Sequence, residues 1–123
     1  MKILKVAITS QGKTLESKVD TRFGRAGWFV VIDTNTGDYN AVSNEQNLNA
    51  KQGAGIQAAE QVSRQEVSAL ITGNCGPKAF RTLMAAGIKV YYGTEGTVAE
   101  VLEQFHNGTL SEASDANVDS HWV

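Results

Sequence analysis

The chain has 123 residues, of which 41% are hydrophobic and 20% are charged, a composition typical of one globular domain. Its 11 basic and 13 acidic residues give a net charge of −2, and only 7% of the residues are aromatic. This balance argues against the basic surface that a nucleic-acid backbone requires and against an aromatic platform for single-stranded bases. We therefore expect no nucleic-acid partner.

Three further features of the sequence bear on where the protein works. No apolar segment approaches the roughly 20 residues that cross a bilayer, so we expect no membrane association. Residues 1–5 contain two lysines and lead into a strand pattern, which is not typical of a signal peptide. Cys75 is the only cysteine and has no partner for an internal disulfide, as in proteins of reducing compartments. Together these features predict a cytoplasmic protein.

The first half of the chain has the pattern of three strands. In the segment 3–9, Leu4, Val6 and Ile8 alternate with Lys5, Ala7 and Thr9, the period of two expected of a strand. Residues 28–32 and 39–44 flank the turn-forming cluster at 33–38, which predicts a hairpin. The polar segment 10–27 between the first two strands is long enough to be a functional loop.

From residue 53 onwards the hydrophobic period changes from two to 3.6. This second half predicts helices at 54–65, 77–86 and 97–107, separated by short, mostly apolar strands at 67–72 and 88–92. The element order is therefore β-β-β-α-β-α-β-α, an antiparallel meander that leads into two parallel strands of an α/β protein.

The last predicted helix has the clearest boundaries. Thr97 and Glu100 form a capping box at its start, and Gly108 follows its last turn. Residues 109–123 contain three acidic residues and no Lys or Arg, so we expect an acidic C-terminal tail after the helix.

Glycine-marked segments at 53–55, 73–77 and 93–97 coincide with the three predicted helix starts. In such a sheet these starts lie along one edge. A helix start presents unpaired backbone N–H groups and a charge of about +0.5, so the three together predict a site for an anion. The candidate site residues from these segments are Gly53, Ala54, Gly55, Asn74, Cys75, Gly76, Thr94 and Gly96.

Cys75 lies between two glycines on a predicted strand-to-helix turn. A helix start stabilises a thiolate, which makes Cys75 a candidate metal ligand. The alternative is a small buried apolar residue. Neither His106 nor His121 is placed to activate the thiol as a nucleophile, so we predict no catalytic residue.

Arg22 and Arg25 place two guanidinium groups in the long loop after the first strand. Such groups bind oxyanions or the sulfur ligands of a cluster. The alternative is a pair of solvated surface arginines.

Several other kinds of site are poorly supported. Residues 53–58 match the letters of a dinucleotide fingerprint, but no strand precedes them and no acidic residue follows about 20 residues later, so nicotinamide binding is rejected. One Cys and two His offer no closed set of metal ligands, which leaves open a preformed anionic cluster or one bridged between two chains. Asp20 and Asp33 do not form the carboxylate pattern of a two-metal nuclease.

Four segments, standing in order, together resemble the dinitrogenase iron–molybdenum cofactor biosynthesis family, which includes nitrogenase accessory carriers and Orange protein-like domains. The resemblance covers about residues 3–108, so we expect a domain at 1–108 followed by the tail at 109–123. The segments are TRFGRA at 21–26, GAGIQAA at 53–59, ITGNCGPKAF at 71–80 and AGIKVY at 86–91.

The resemblance implies a ribonuclease H-like fold and a non-enzymatic carrier or chaperone of a metal–sulfur cofactor in an anaerobe. The implied cargo is an anionic cluster of the molybdenum–copper–sulfur or iron–molybdenum–sulfur type, exchanged with a cofactor-delivery partner. Two other functions stay open, a ribonuclease H-like metal-dependent nuclease and a cofactor-free protein-interaction module. The residues that the resemblance places in cofactor-facing loops are Arg22, Arg25, Gly53, Gly55, Asn74 and Cys75.

Overall fold

The structure, a computed structural model, describes residues 4–48, 53–93 and 95–117. Within these ranges five strands form one mixed sheet in the spatial order β3-β2-β1-β4-β5. β1 pairs antiparallel with β2, and β2 pairs antiparallel with β3, whereas β1–β4 and β4–β5 are parallel. The strands are β1 (Lys5–Ser10), β2 (Trp28–Asp33), β3 (Tyr39–Ser43), β4 (Ala69–Thr72) and β5 (Lys89–Tyr92).

The predicted parallel pairing of the last two strands is confirmed, with Ala69 to Thr72 opposite Lys89 to Tyr92. Each strand begins and ends within two residues of its predicted position. The first residue of the predicted strand at 3–9 lies outside the described residues.

Four helices lie in the described ranges, one more than the sequence pattern predicts. They are α1 (Glu45–Leu48), α2 (Ala54–Arg64), α3 (Pro77–Ala85) and α4 (Val98–His106). The additional helix α1 is a single turn that begins where the Glu45 N–H donates to the Ser43 hydroxyl at 3.1 Å. One turn is too short to show a repeat of apolar positions, which is why periodicity did not predict it.

The sheet has a hydrophobic cluster on each face. α2 and α3 pack against each other over one face, where Val62 and Leu83 meet Leu70 of β4. α4 covers the other face, where Val101 packs in the same cluster as Ile8 of β1. All five side chains are fully buried, and each contributes about 1.5–3 kcal/mol to folding by leaving water.

Strand direction decides where the loops meet. β1 and β3 are both antiparallel to β2, and β4 and β5 are parallel to β1, so these four strands share one direction. Their carboxyl ends therefore lie at the same edge of the sheet. The β1–β2 loop and the segments that lead into α2, α3 and α4 follow this edge, which we call the loop edge.

The described part of the C-terminal tail, residues 109–117, runs along the outer strand β5. The Ala113 N–H donates to the Val90 carbonyl at 2.7 Å, and Glu112 forms an isolated bridge with Tyr91. The tail therefore covers a backbone edge that would otherwise be unpaired. The last part of the predicted tail, residues 118–123, lies outside the described residues.

None of the helices in the described ranges has the length and apolar character needed to span a bilayer.

Candidate functional site

Phe23 anchors the β1–β2 loop at the loop edge. Its side chain is fully buried and packs against Phe29, with the ring centroids 5.8 Å apart. Its backbone N–H donates to the Asn74 carbonyl at 3.2 Å. Since Phe23 is fixed from both sides, its neighbours Arg22 and Gly24 are held close to the helix starts.

Two glycines allow the backbone segments of the loop edge to approach one another. A Cβ at Gly24 would lie 2.9 Å from the Gly55 nitrogen, and a Cβ at Gly73 would lie 2.8 Å from the Thr21 Cα. The Asn74 side-chain amide donates to the Thr21 carbonyl at 3.0 Å. The structure therefore brings together the arginine-bearing loop, the start of α2 and the segment before α3.

The two predicted arginines differ in their surroundings. The Arg22 side chain is 54% exposed, and its Nε lies 3.7 Å from Asp20 Oδ1, which also accepts the Arg22 backbone N–H at 3.1 Å. Arg25 is half-buried and donates from Nη1 to the Asn47 carbonyl at 3.2 Å. Arg22 therefore presents its charge to solvent, whereas Arg25 ties the loop to α1.

The starts of α2 and α3 are uncapped. α2 follows Gly53, which has a left-handed φ of 78°, and α3 follows Gly76. Among the described residues neither start has a side-chain cap, and neither helix has an acidic residue in its first turn. Within the part of the chain that the structure describes, no acceptor pairs with the first-turn N–H groups of either helix, so a partial positive charge remains at the loop edge.

Lys78 adds positive charge at the same place. It is exposed in the first turn of α3, where a cation interacts unfavourably with the helix dipole. The sequence pattern gave it no role. Lys78 could have been recognised from the sequence because a basic residue is unusual in the first turn of a helix, where acidic or capping residues are common.

The start of α4 is different, because its donors are already paired. Thr97 Oγ1 accepts the Glu100 N–H at 3.2 Å, and Glu100 Oε1 accepts the Thr97 N–H at 2.8 Å, which confirms the predicted capping box. The N–H groups of Val98 and Ala99 donate to carbonyls of the β1–β2 loop at 2.9 and 2.8 Å. The expectation that this helix start offers open N–H groups to an anion is therefore wrong for these residues.

Gly96 contacts another part of the β1–β2 loop, since its carbonyl accepts the Val19 N–H at 3.1 Å. Its role in a site stays a prediction. Thr94, the other candidate from this segment, lies outside the described residues.

Cys75 belongs to the core cluster that also contains Phe23 and Leu83, and it is fully buried. Its Sγ lies 3.6 Å from the Gly76 carbonyl, and burial raises the pKa of the thiol to about 12. Burial therefore disfavours the thiolate that a helix start would stabilise, and it agrees with the alternative of a small buried side chain. Direct ligation by Cys75 stays a prediction and requires the surrounding loop to open.

Asn117, which the sequence pattern did not single out, contacts the segment before α3 through four hydrogen bonds. Its Oδ1 accepts the Cys75 N–H at 2.8 Å, and its own N–H donates to the Cys75 carbonyl at 3.1 Å. Its Nδ2 donates to the Gly73 carbonyl at 3.0 Å and to Asn74 Oδ1 at 3.2 Å. More than 40 residues separate these partners, so no local pattern could have predicted the contact.

No three His, Cys, Asp or Glu side chains in the described ranges gather in a way that could hold a metal ion. The loop edge offers other chemistry, namely backbone N–H groups at two helix starts, the exposed guanidinium of Arg22 and the ammonium of Lys78. This combination suits an anion with several acceptor atoms.

The fold and the loop edge define a small mixed-sheet α/β domain whose glycine-marked loops meet at one end of the sheet. The dinitrogenase iron-molybdenum cofactor family matches residues 2–108, and the chain belongs to that family. This result confirms the family that the four sequence segments predicted.

Two solved structures are similar to this chain over nearly its whole length. One is the apo form of the orange protein from Desulfovibrio gigas, with a TM-score of 0.92 and 39% sequence identity, covering 95% of this chain and 98% of that chain. The other is a NifB-like protein from Thermotoga, placed in the DUF35 family, with a TM-score of 0.82 and 38% identity, covering 94% and 97%. An uncharacterized protein of Methanocaldococcus jannaschii is 27% identical over 114 residues, or 90% of this chain and 97% of the relative.

Proposed function

We propose that the protein is a non-enzymatic carrier of an anionic metal–sulfur cofactor, bound at the loop edge between the starts of α2 and α3. The observation that carries this proposal is the difference among the three helix starts. Those of α2 and α3 are uncapped and are linked through the loop that holds Arg22, whereas that of α4 is fully capped. Membership of the dinitrogenase iron-molybdenum cofactor family and the likeness to the orange protein support a cofactor-associated carrier role.

The chemistry of such a cargo suits the donors at the loop edge. A thiometallate anion carries negative charge on soft, weakly hydrated sulfur atoms, which accept hydrogen bonds from N–H groups. The N–H groups after Gly53 and those of Lys78 and Ala79 would contact these sulfurs, since Pro77 has no N–H, and Arg22 would offset the charge. Each charge-assisted contact contributes about 1.5–3 kcal/mol where it is shielded from water.

The proposed site comprises most of the residues expected from the sequence, and Arg25 supports it by tying the β1–β2 loop, which carries Arg22, to α1. We propose a molybdenum-containing cluster with copper or iron as the cargo, and a cytoplasmic delivery protein as the partner. The residues proposed to surround the cargo are Arg22, Arg25, Gly53, Ala54, Gly55, Asn74 and Gly76.

The test is reconstitution with tetrathiomolybdate, with and without Cu(I), followed by desalting and metal analysis. We expect the wild type to retain molybdenum and Arg22→Ala to retain much less, because its exposed guanidinium is removed from the loop edge. Arg81→Ala is the matched control, since Arg81 is exposed on α3 away from the helix start. Equal retention by Arg22→Ala and Arg81→Ala would contradict the role given to Arg22. Failure of the wild type to retain any offered cluster would contradict the carrier function.

The ribonuclease H-like fold implied by the resemblance stays a prediction, and no observation favours nuclease activity. Asp33 pairs with Lys5 at the start of β1, at the sheet edge opposite the loop edge, whereas Asp20 lies in the β1–β2 loop beside Arg22. These two carboxylates therefore do not form a pair for two metal ions. We expect an RNA–DNA hybrid to stay intact when it is incubated with the protein and Mg²⁺ or Mn²⁺.

A further inference from the structure

We propose that residues 109–117, which we call the strap, close the cofactor site and must leave the start of α3 before an anion binds there. This inference rests on the carrier function proposed above and assigns a regulatory device to the same site. Three features of the structure lead to it: the position of Asn117, the weak attachment of the strap and its charge.

Asn117 occupies a position that an anionic ligand would need. Its Oδ1 accepts the N–H of Cys75 at 2.8 Å, in the segment that leads into α3, and an acceptor atom of a bound anion could use the same N–H. Its backbone N–H and its Nδ2 donate to the carbonyls of Cys75 and Gly73 at 3.1 and 3.0 Å. A cargo at this helix start would compete with Asn117 for the same backbone segment.

Apart from Asn117, the strap is held by the backbone contacts of Ala113 and Glu112 with β5, by the packing of Ala113 and Ala116 on the core cluster, and by two exposed side-chain contacts. The Tyr92 hydroxyl donates to the Asp115 carbonyl at 2.9 Å, and Lys89 lies 4.0 Å from Glu112 in an exposed ion pair. A cavity of about 550 Å³ is lined by Tyr92 and residues 109–116. Segments with such sparse, solvent-accessible contacts open locally at much lower cost than the core. The strap therefore opens without global unfolding.

The strap is negatively charged, so its closure and the binding of an anion disfavour each other. Its described residues include Glu112 and Asp115 and no Lys or Arg. Asp115 lies two residues before Asn117, so closure of the strap adds negative charge to the domain that would bind the anion. An anionic cargo therefore favours the open strap by repulsion as well as by competition for the Cys75 N–H.

Cys75 is a built-in reporter of strap opening. Its thiol lies in the core cluster against which Ala113 and Ala116 of the strap pack. Opening of the strap removes these side chains together with the hydrogen bonds of Asn117. The rate at which iodoacetamide alkylates Cys75 therefore measures the open population without any cofactor.

The experiment compares wild type with full-length Asn117→Ala and with Asn40→Ala, the same change at an exposed position of β3. Loss of the three side-chain hydrogen bonds of Asn117 should raise the alkylation rate of Cys75 by about tenfold or more, since each net bond is worth a few-fold to about tenfold. Asn40→Ala should match the wild type. The rate should be insensitive to low urea concentrations, as is typical of local opening.

Tetrathiomolybdate binding is then measured on the same proteins by equilibrium titration. We expect Asn117→Ala to bind more tightly than the wild type by a factor similar to the rise in alkylation rate. An unchanged alkylation rate would overturn the strap, whatever the cofactor result. A faster alkylation rate with unchanged affinity would overturn the link between the strap and the site. If Asn117→Ala raises the alkylation rate but neither protein binds thiometallate, the strap is supported as the cover of Cys75 and the carrier function is refuted.

Discussion

Gly24 is the position where a single methyl group should separate the arginine-bearing loop from α2. In Gly24→Ala the new Cβ would lie 2.9 Å from the Gly55 nitrogen, 3.0 Å from the Gly55 Cα and 3.2 Å from the Ala54 carbonyl carbon. These are backbone atoms of the first turn of α2, so no side-chain rotation relieves the contact. Overpacking of this kind costs about 1–3 kcal/mol.

Gly27→Ala is a matched control in the same loop. Its Cβ would meet only the Ser10 and Gln11 carbonyl oxygens, at 3.8 and 3.9 Å, which is ordinary contact. Both substitutions restrict the unfolded chain and gain about 0.4–1 kcal/mol from that effect alone. The difference between the two variants therefore isolates the clash of Gly24 with α2.

The assay is urea unfolding followed by circular dichroism. With an m-value of about 2 kcal/mol/M, a clash of about 2 kcal/mol lowers the midpoint of Gly24→Ala by about 1 M relative to Gly27→Ala. We also expect Gly24→Ala to retain less thiometallate, because Arg22 moves away from the start of α2. Equal midpoints for the two variants would refute the close approach of the loop to α2 on which the proposed site depends.

Two further predictions concern the core thiol and the last helix. Burial raises the pKa of Cys75 from its ordinary 9.0 to about 12, so above pH 9 the folded state keeps a proton that the unfolded state loses. The free energy of unfolding is therefore unaffected below pH 9 and falls by up to about 1.4 kcal/mol per pH unit above it. Urea midpoints measured between pH 8 and pH 10 should therefore fall more steeply for the wild type than for Cys75→Ala, and parallel curves would contradict the buried, protonated thiol. Thr97→Ala should lower the free energy of unfolding by about 1 kcal/mol, because the capping box of α4 is lost. The same variant should retain as much thiometallate as the wild type. A large loss of retention would show that the start of α4 does contribute to the site.

The fold could be predicted largely because its hydrophobic periods are regular. The i, i+3, i+4 pattern of α4 agrees with the face that the structure buries, whereas β1 is buried on both faces, with Ala7 in one cluster and Ile8 in the other. The capping box of Thr97 and Glu100 is a local signal, and it is present in the structure. α1 escaped prediction because a single turn held by hydrogen bonds to Ser43 and Asn44 has no period.

The site could be predicted only in part, because a sequence shows where a helix begins but not whether distant groups pair with its donors. The N–H groups of Val98 and Ala99 are paired with carbonyls of the β1–β2 loop, some 80 residues earlier in the chain. The thiol of Cys75 stands at a helix start, yet its state is decided by the core around it. Both outcomes depend on tertiary contacts between residues far apart in sequence.

The three helix starts together show where this protein departs from local stability rules. α4 has a capping box and an acidic residue in its first turn, whereas α2 and α3 have neither and α3 carries Lys78 instead. The N-cap residues of α2 and α3 are glycines, which stabilise a helix less than Ser, Thr, Asp or Asn by roughly a few tenths of a kcal/mol, so their use has a small cost. Natural sequences accept such local costs mainly at functional sites. Just before α3, the N–H of Cys75 is paired with Asn117 Oδ1, from the far end of the described chain. A contact made by an exposed strap can be withdrawn, whereas a capping box built into the helix cannot, and a site that must both take up and release an anionic cargo needs the first kind.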